Sequence, residues 1–187
     1  LSSSSAASDV YKRQLEISAN EEAPILGARI LTQTPLAAPL PPIRFRLATT
    51  RATNALLEKK GSSVAFFVTR GFGDLMLIGD QRRQSLFALH HEPRPVFHAD
   101  VHEVRGRMDA EGRIIEELEM DSLLLAAEEM VTRGFRHAAV ALMHSQKNPT
   151  HERRVGTLLK KAGFEHVSLS SEVAPFIKIL PRAQSAI

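Results

Sequence analysis

Ala138-Ala139-Val140-Ala141-Leu142-Met143-His144-Ser145-Gln146-Lys147-Asn148-Pro149-Thr150 is the stretch from which the fold is read. Its first six residues are apolar at odd and even positions alike, the pattern of a strand covered on both faces in the middle of a parallel sheet. Asn148 then offers a polar N-cap, and Pro149 occupies the first helical position, where a missing N–H is no loss. Gly163 ends that helix, and His166 to Ser170 follows as another strand. Strand, helix and strand in this order form a βαβ unit, whose crossover joins parallel neighbours.

Working outward, Ser63 to Thr69 is a second apolar, β-branched and aromatic run and is predicted as a strand. Before it, Ile43-Arg44-Phe45-Arg46-Leu47 leads into Ala48-Thr49-Thr50-Arg51-Ala52-Thr53-Asn54-Ala55-Leu56-Leu57-Glu58-Lys59-Lys60-Gly61. This predicts a strand over Arg44 to Ala48, a crossover helix over Thr50 to Lys60 and a stop at Gly61, hence another βαβ unit. Val101 to Leu118 is predicted as a hairpin around Asp109-Ala110-Glu111-Gly112, whose glycine accepts a positive φ. Asp121 is expected to cap a helix from Ser122 to Arg133 that presents Leu124, Leu125, Glu128 and Val131 and stops at Gly134. Pro24 to Gln33 is predicted as a short helix, followed by a Pro-rich linker from Pro35 to Pro42. The fold class is therefore α/β: a mixed, mostly parallel sheet with flanking helices and one β-hairpin. The domain is placed over residues 43–187, and residues 15–42 form the helix and linker.

Residues 1–14, Leu1-Ser2-Ser3-Ser4-Ser5-Ala6-Ala7-Ser8-Asp9-Val10-Tyr11-Lys12-Arg13-Gln14, have neither helical nor strand periodicity. They resemble translated sequencing-adapter read-through, or else a disordered Ser/Ala tail, and are set aside from the fold. Across the 187 residues, 43% are hydrophobic, enough for the core of one soluble domain. No run approaches the ~18 apolar residues of a membrane span, and no secretory pattern is present. Cys is absent, which removes disulfides, thiolate metal sites and thiol nucleophiles and makes the cytoplasm the expected location. The formal charge of +3 comes from basic residues interspersed with Asp and Glu, and with one Tyr and no Trp there is little surface for stacking bases. No nucleic-acid partner and no membrane partner is expected.

In open α/β sheets ligands sit outside the carboxyl ends of the strands, so three loops carry the candidate chemistry. The first holds Thr49, Thr50, Thr53 and Asn54 at a helix entrance, where free backbone N–H groups suit an anion or a polar ligand; the alternative is a plain Thr/Asn helix cap with no ligand. In the second, Gly71 and Gly73 let the backbone bend closely while Arg70 and Asp74 offer charge. In the third, His144, Ser145 and Asn148 follow the central strand. His144 is the candidate for catalysis, since an imidazole binds, orients or moves a proton, against the alternative of a half-buried histidine satisfied by a carbonyl. Asn148 also reads as a cap. No metal site is expected: His90-His91 point apart, with only Glu92 near, and His144 with His151 lacks the zincin order. Neither a P-loop nor a dinucleotide fingerprint occurs.

The string Ala48-Thr49-Thr50-Arg51-Ala52-Thr53-Asn54-Ala55-Leu56-Leu57-Glu58-Lys59-Lys60-Gly61 resembles the Gly-Thr-Thr-x-Ala-Thr-Asn-Ala-Leu-Leu-Glu-Arg-x-Gly signature of the hydantoinase A/oxoprolinase family. The resemblance continues in order through Val68-Thr69-Arg70-Gly71-Phe72-Gly73-Asp74, then Ile78-Gly79-Asp80-Gln81-Arg82-Arg83 with Leu86-Phe87. It goes on through Leu142-Met143-His144-Ser145 with Asn148-Pro149-Thr150-His151-Glu152-Arg153, and Val167-Ser168-Leu169-Ser170-Ser171-Glu172-Val173. It adds Gln81 and Arg83 to the candidate binding residues, and Arg29 to Pro42 is most similar to the 5-oxoprolinase branch. What it implies is part of an actin-like ATPase body that opens 5-oxo-L-proline to L-glutamate with ATP, magnesium and potassium, a reaction of glutathione metabolism. Phosphorylating the amide oxygen makes the lactam open to water. The implied partners are a small cyclic amide, a nucleotide, and the remaining hydantoinase A and B regions in the same chain or a partner subunit. The alternatives are a hydantoinase A-type amidohydrolase of (N-methyl)hydantoin, or, for the chain alone, a non-catalytic α/β domain. The family's Asp-x-Gly-Gly-Thr phosphate loop does not occur in this sequence, and Ala48 and Gln84 stand where the family has Gly and Pro. The chain is therefore expected to be a fragment of a longer enzyme, with no cofactor of its own.

Overall fold

The computed structural model of the chain describes residues 21–46, 48–81 and 95–187. Contacts divide the chain into a unit that ends at Ala52 and one that runs from Thr53 to Ile187.

In the first unit, α1 (Ala23–Thr32) has Pro24 in its first turn and ends at Gln33 in the left-handed conformation. Arg29 holds the following Pro-rich segment by donating to the carbonyls of Pro35 and Ala38, and it pairs with Glu21 at 2.6 Å. The strand expected over Arg44 to Ala48 is not found among the described residues, and Leu47 lies outside them. Residues 43–46 are irregular, and Ile43 and Phe45 are 42% and 52% exposed. The βαβ reading called for a place beside the strand Val64–Thr69, and both edges of that strand are taken by other strands. The βαβ unit read there is not seen among the described residues. Its helix, α2 (Arg51–Leu57), is shorter than predicted. Its stop is not Gly61 but Lys59, which takes φ +53 while the Lys60 N–H reaches back to the Ala55 carbonyl, the Schellman closure.

The second unit is built on a four-stranded sheet in the order β2-β1-β5-β6, with β1 (Val64–Thr69), β2 (Asp100–Val104), β5 (His137–Ala141) and β6 (His166–Leu169). Every pairing in it is parallel. Val140 lies opposite Phe67 on one side and Leu169 on the other, so the alanine-rich strand is central, as its two-sided apolar pattern requires. Alternate residues of β1 feed two cores. Ala65 and Phe67 join Leu123, Ala127, Met130, Val155 and Leu159, while Phe66 and Val68 join Met76, Ala183 and Ala186. Phe66 and Phe67 are fully buried, each contributing about 1.5–3 kcal/mol from burial.

Helices α4 (Met120–Thr132) and α5 (Thr150–Ala162) build the first core; α3 (Leu75–Ile78) and, after the one-turn α6 (Ser170–Val173), α7 (Ile179–Ala186) build the second. The core face of α4 is Leu123, Ala127 and Met130 rather than the predicted Leu124 and Leu125, which are 37% and 69% exposed. An i, i+4, i+7 stripe reaches the sheet, and of the predicted residues Val131 alone packs against that core, partly buried. Asp121 lies within the first turn, and Glu119 precedes the helix with no side-chain cap. The predicted hairpin is also divided. Residues 100–104 enter the main sheet beside β1, and only β3 (Arg107–Met108) and β4 (Ile114–Glu116) pair across the expected turn. Gly106, at φ +138 and packed on Leu118, breaks the run between the two pieces. The turn itself is as read: Asp109 accepts from the N–H groups of Glu111 and Arg113, and Gly112 has φ +86. Among the described residues no helix is long and apolar enough to cross a membrane.

Candidate functional site

Because all four main strands are parallel, their carboxyl ends open on one edge, and the loops leaving β1, β2, β5 and β6 meet there. Thr69 ends β1 fully buried, and its hydroxyl oxygen accepts the Met143 N–H at 2.9 Å, which ties the loop after β1 to the loop after β5. Arg70 and Asp74 are exposed beyond it. The N–H groups of Gly71 and Gly73 converge, at 3.1 and 2.9 Å, on one carboxylate oxygen of Glu103. Paired amides in such a bend form an anion-binding concavity. A Cβ on Gly73 would lie 2.9 Å from that oxygen, so a side chain there would push the Glu103 carboxylate aside. The Arg107 guanidinium lies 5.5 Å from the centre of the Phe72 ring and covers the same loop.

After β5 the chain turns sharply. His144 has φ +59, a left-handed conformation that costs a non-glycine residue roughly 1–2 kcal/mol, and its carbonyl accepts the N–H groups of Lys147 and Asn148 at 2.9 and 3.2 Å. Its side chain is half-buried, and no group among the described residues hydrogen-bonds the imidazole. Ser145 is buried and donates its hydroxyl to the Leu142 carbonyl at 2.9 Å. Asn148 uses both ends of its amide: Nδ2 donates to the Gly112 carbonyl at 2.9 Å, and Oδ1 accepts the Thr150 N–H at 3.1 Å in an Asx turn; the N-cap of α5 is Pro149 rather than the predicted Asn148, and no side chain caps it. The hairpin tip is thereby fixed to the His144 loop.

The other candidates are distributed. Thr49 and Thr50 belong to the first unit and Thr53 and Asn54 to the second, all with exposed side chains. Helix α2 has only seven residues. Gln81, also exposed, takes φ +59 after α3. Arg83 lies outside the described residues, as do Arg82, Leu86, Phe87, His90, His91 and Glu92. ATP, magnesium and potassium find no fitting cradle among the described residues. The Gly71 and Gly73 amides already hold Glu103, and no group of three or more His, Cys, Asp or Glu is gathered to hold a metal.

The residues that the sequence did not single out are Glu103, Glu152 and Arg182. Glu152 and Arg182 are wholly buried and bridged by the Ser170 hydroxyl, which donates to Glu152 at 2.6 Å and accepts from Arg182 Nε at 2.9 Å. Burial pushes the Arg182 guanidinium below its ordinary pKa, and Glu152 opposes that shift. The one visible signal was Glu152 in the Thr150-His151-Glu152-Arg153-Arg154-Val155 turn, an acid at a helix start whose apolar stripe faces inward.

The family model for the hydantoinase/oxoprolinase N-terminal region matches residues 12–163. The chain belongs to this family. It is 35% identical over 170 residues to the 5-oxoprolinase of Saccharomyces cerevisiae, a match covering 76% of this chain and 13% of that protein. With 5-oxoprolinase 1 of Arabidopsis thaliana it shares 36% over 161 residues, again 76% and 13%. The chain thus spans about 13% of the length of these relatives. Among solved structures it is similar to the ATP-dependent caprolactamase of Pseudomonas jessenii, with a TM-score of 0.65 at 24% identity over 74% of this chain and 21% of that one. The parallel sheet with flanking helices is therefore the hydantoinase/oxoprolinase N-terminal fold, and the His144 and Gly71 loops lie within the matched residues.

Proposed function

We propose that this chain is part of an ATP-dependent enzyme that opens cyclic amides, with 5-oxo-L-proline as substrate and L-glutamate, ADP and phosphate as products. The observation that carries the reading is the family match over residues 12–163, with relatives named 5-oxoprolinase at 35–36% identity. A lactam is a poor electrophile, and ATP supplies the driving force for opening it, with magnesium and potassium, in the longer protein. The contribution of this chain is the edge of the sheet where His144 is presented. An imidazole there accepts a proton from attacking water or gives one to the leaving nitrogen, roles worth roughly 10²–10⁴-fold in rate. Arg70 and Asp74 flank the neighbouring loop as further binding groups, and the missing regions supply the phosphate site. The absence of Cys accords with a cytoplasmic enzyme.

The longer protein carrying this segment is assayed for glutamate release from 5-oxo-L-proline with ATP, magnesium and potassium. Activity is expected, and His144→Ala is expected to lower kcat by about 10²–10⁴-fold. No glutamate from 5-oxoproline, with turnover of N-methylhydantoin instead, replaces this reading with the hydantoinase one. Calorimetry of the 187-residue chain with ATP and magnesium is expected to show nothing tighter than millimolar, consistent with a chain that is non-catalytic alone.

A further inference from the structure

We propose that Glu152, Ser170 and Arg182 form a buried latch that holds His144 in its left-handed conformation, which makes them positioning residues for the site at the sheet edge. The inference rests on the proposed placement of substrate beside His144. All three side chains are fully buried, and Arg182 heads the largest buried side chains of the molecule. A buried charge pair is a poor means of adding stability, since well-packed apolar groups serve as well or better, so its geometry must be sought elsewhere.

That geometry converges on one short loop. Glu152 accepts the Leu142 N–H at 2.8 Å, and Arg182 Nη2 donates to the Leu142 carbonyl at 2.5 Å, so both polar groups of this residue are gripped by opposite charges. Arg182 Nη1 donates to the Gln146 side chain at 2.5 Å. Between these points Thr69 holds the Met143 N–H and Ser145 returns its hydroxyl to Leu142. Residues 142, 143, 145 and 146 are each tethered, and His144 is bracketed by them. A non-glycine residue at positive φ persists only where its surroundings over-determine it, and these bonds are that over-determination. The other contacts of the pair, Glu152 with the Ser171 N–H at 2.9 Å and Arg182 with the Phe176 carbonyl at 3.0 Å, anchor the latch to the segment after β6. The tethering therefore crosses from α5 and α7 to the end of β5, while no group among the described residues hydrogen-bonds the imidazole.

Two variants test this. Glu152→Gln removes the charge; Ser170→Ala removes only the bridging hydroxyl and leaves both charges in place. In this chain, the three-bond amide–Hα coupling of His144 measured by NMR is expected to leave the left-handed value in both variants, while Leu159→Val, which weakens the core elsewhere, leaves it unchanged. In the longer enzyme, kcat for lactam opening is expected to fall by about a hundredfold with little change in KM, as for a misplaced group remote from the binding contacts. If Glu152→Gln does not fold, Ser170→Ala decides alone. A His144 coupling that stays left-handed in the folded variants overturns the latch. An altered coupling in an enzyme that opens no lactam supports the latch and overturns the proposed reaction, so the two failures are told apart.

Discussion

Residues 43–61 and 137–163 carry nearly the same local signals, an apolar run, a polar helix entrance and a terminal glycine, yet they fold to different depths. In the second, β5 is central and α5 buries His151, Glu152, Val155, Gly156, Leu158 and Leu159. In the first, no strand precedes α2 among the described residues, and Leu56 and Leu57 remain 57% and 75% exposed. A cap and a stop specify where a helix begins and ends; the apolar stripe and the available ladder edges specify whether it belongs to a core. The same substitution made in both helices exposes the difference. Leu159→Ala is expected to destabilise the chain by about 2–5 kcal/mol, because it leaves a cavity in the larger core. Leu57→Ala is expected to stay within about 0.5 kcal/mol. Denaturant midpoints check both, and equal losses would erase the contrast.

The two glycines give a smaller contrast. Gly163 closes α5 at φ +112, and a Cβ there meets Val131 Cγ1 at 3.3 Å. Gly163→Ala is expected to cost about 1–2 kcal/mol, the penalty of a left-handed alanine plus a tight contact. Gly61 has open space around it and no positive φ, because Lys59 has already closed α2. Gly61→Ala is expected to leave the thermal midpoint unchanged.

What was legible in the sequence follows the same division. The second βαβ unit could be read because its signals are local and agree: a two-sided apolar strand, Asn148, Pro149 and Gly163. The Asp109 to Gly112 turn could be read for the same reason. What could not be read depends on partners remote in sequence. Residues 100–104 have no local mark that assigns them to β1 rather than to the hairpin, and Glu103 reaches the Gly71 and Gly73 amides only because of that pairing. Arg182 lies 40 residues from the Leu142 carbonyl it holds, beyond any helical or strand period. The loops at the sheet edge were located by the rule for parallel strands. The internal carboxylate and the buried charge pair that shape them were not.

The smallest effect distinguishes α5 from α2 by pH. His151, in the first turn of α5, is 2% exposed, and its buried Nε2 has no hydrogen-bond partner among the described residues. Burial pushes its pKa below 6.5; Glu117 opposes the shift and Arg154 adds to it. Above 6.5 the imidazole is neutral in folded and unfolded chains alike, and it leaves stability unchanged. As pH falls below 6.5 the unfolded chain takes up the proton first, so stability is lost until the pH passes the lowered folded value. His98 and His102, also depressed by burial, act in the same direction. Denaturant midpoints taken from pH 7.5 down to about pH 5 are therefore expected to fall for the wild-type chain and to fall less steeply for His151→Gln, which cannot charge. Leu57→Ala in α2, remote from any such group in its own helix, is expected to keep the wild-type slope. An unchanged slope in His151→Gln would show that the acid sensitivity belongs to His98 and His102 on the β2 side of the sheet and not to the start of α5.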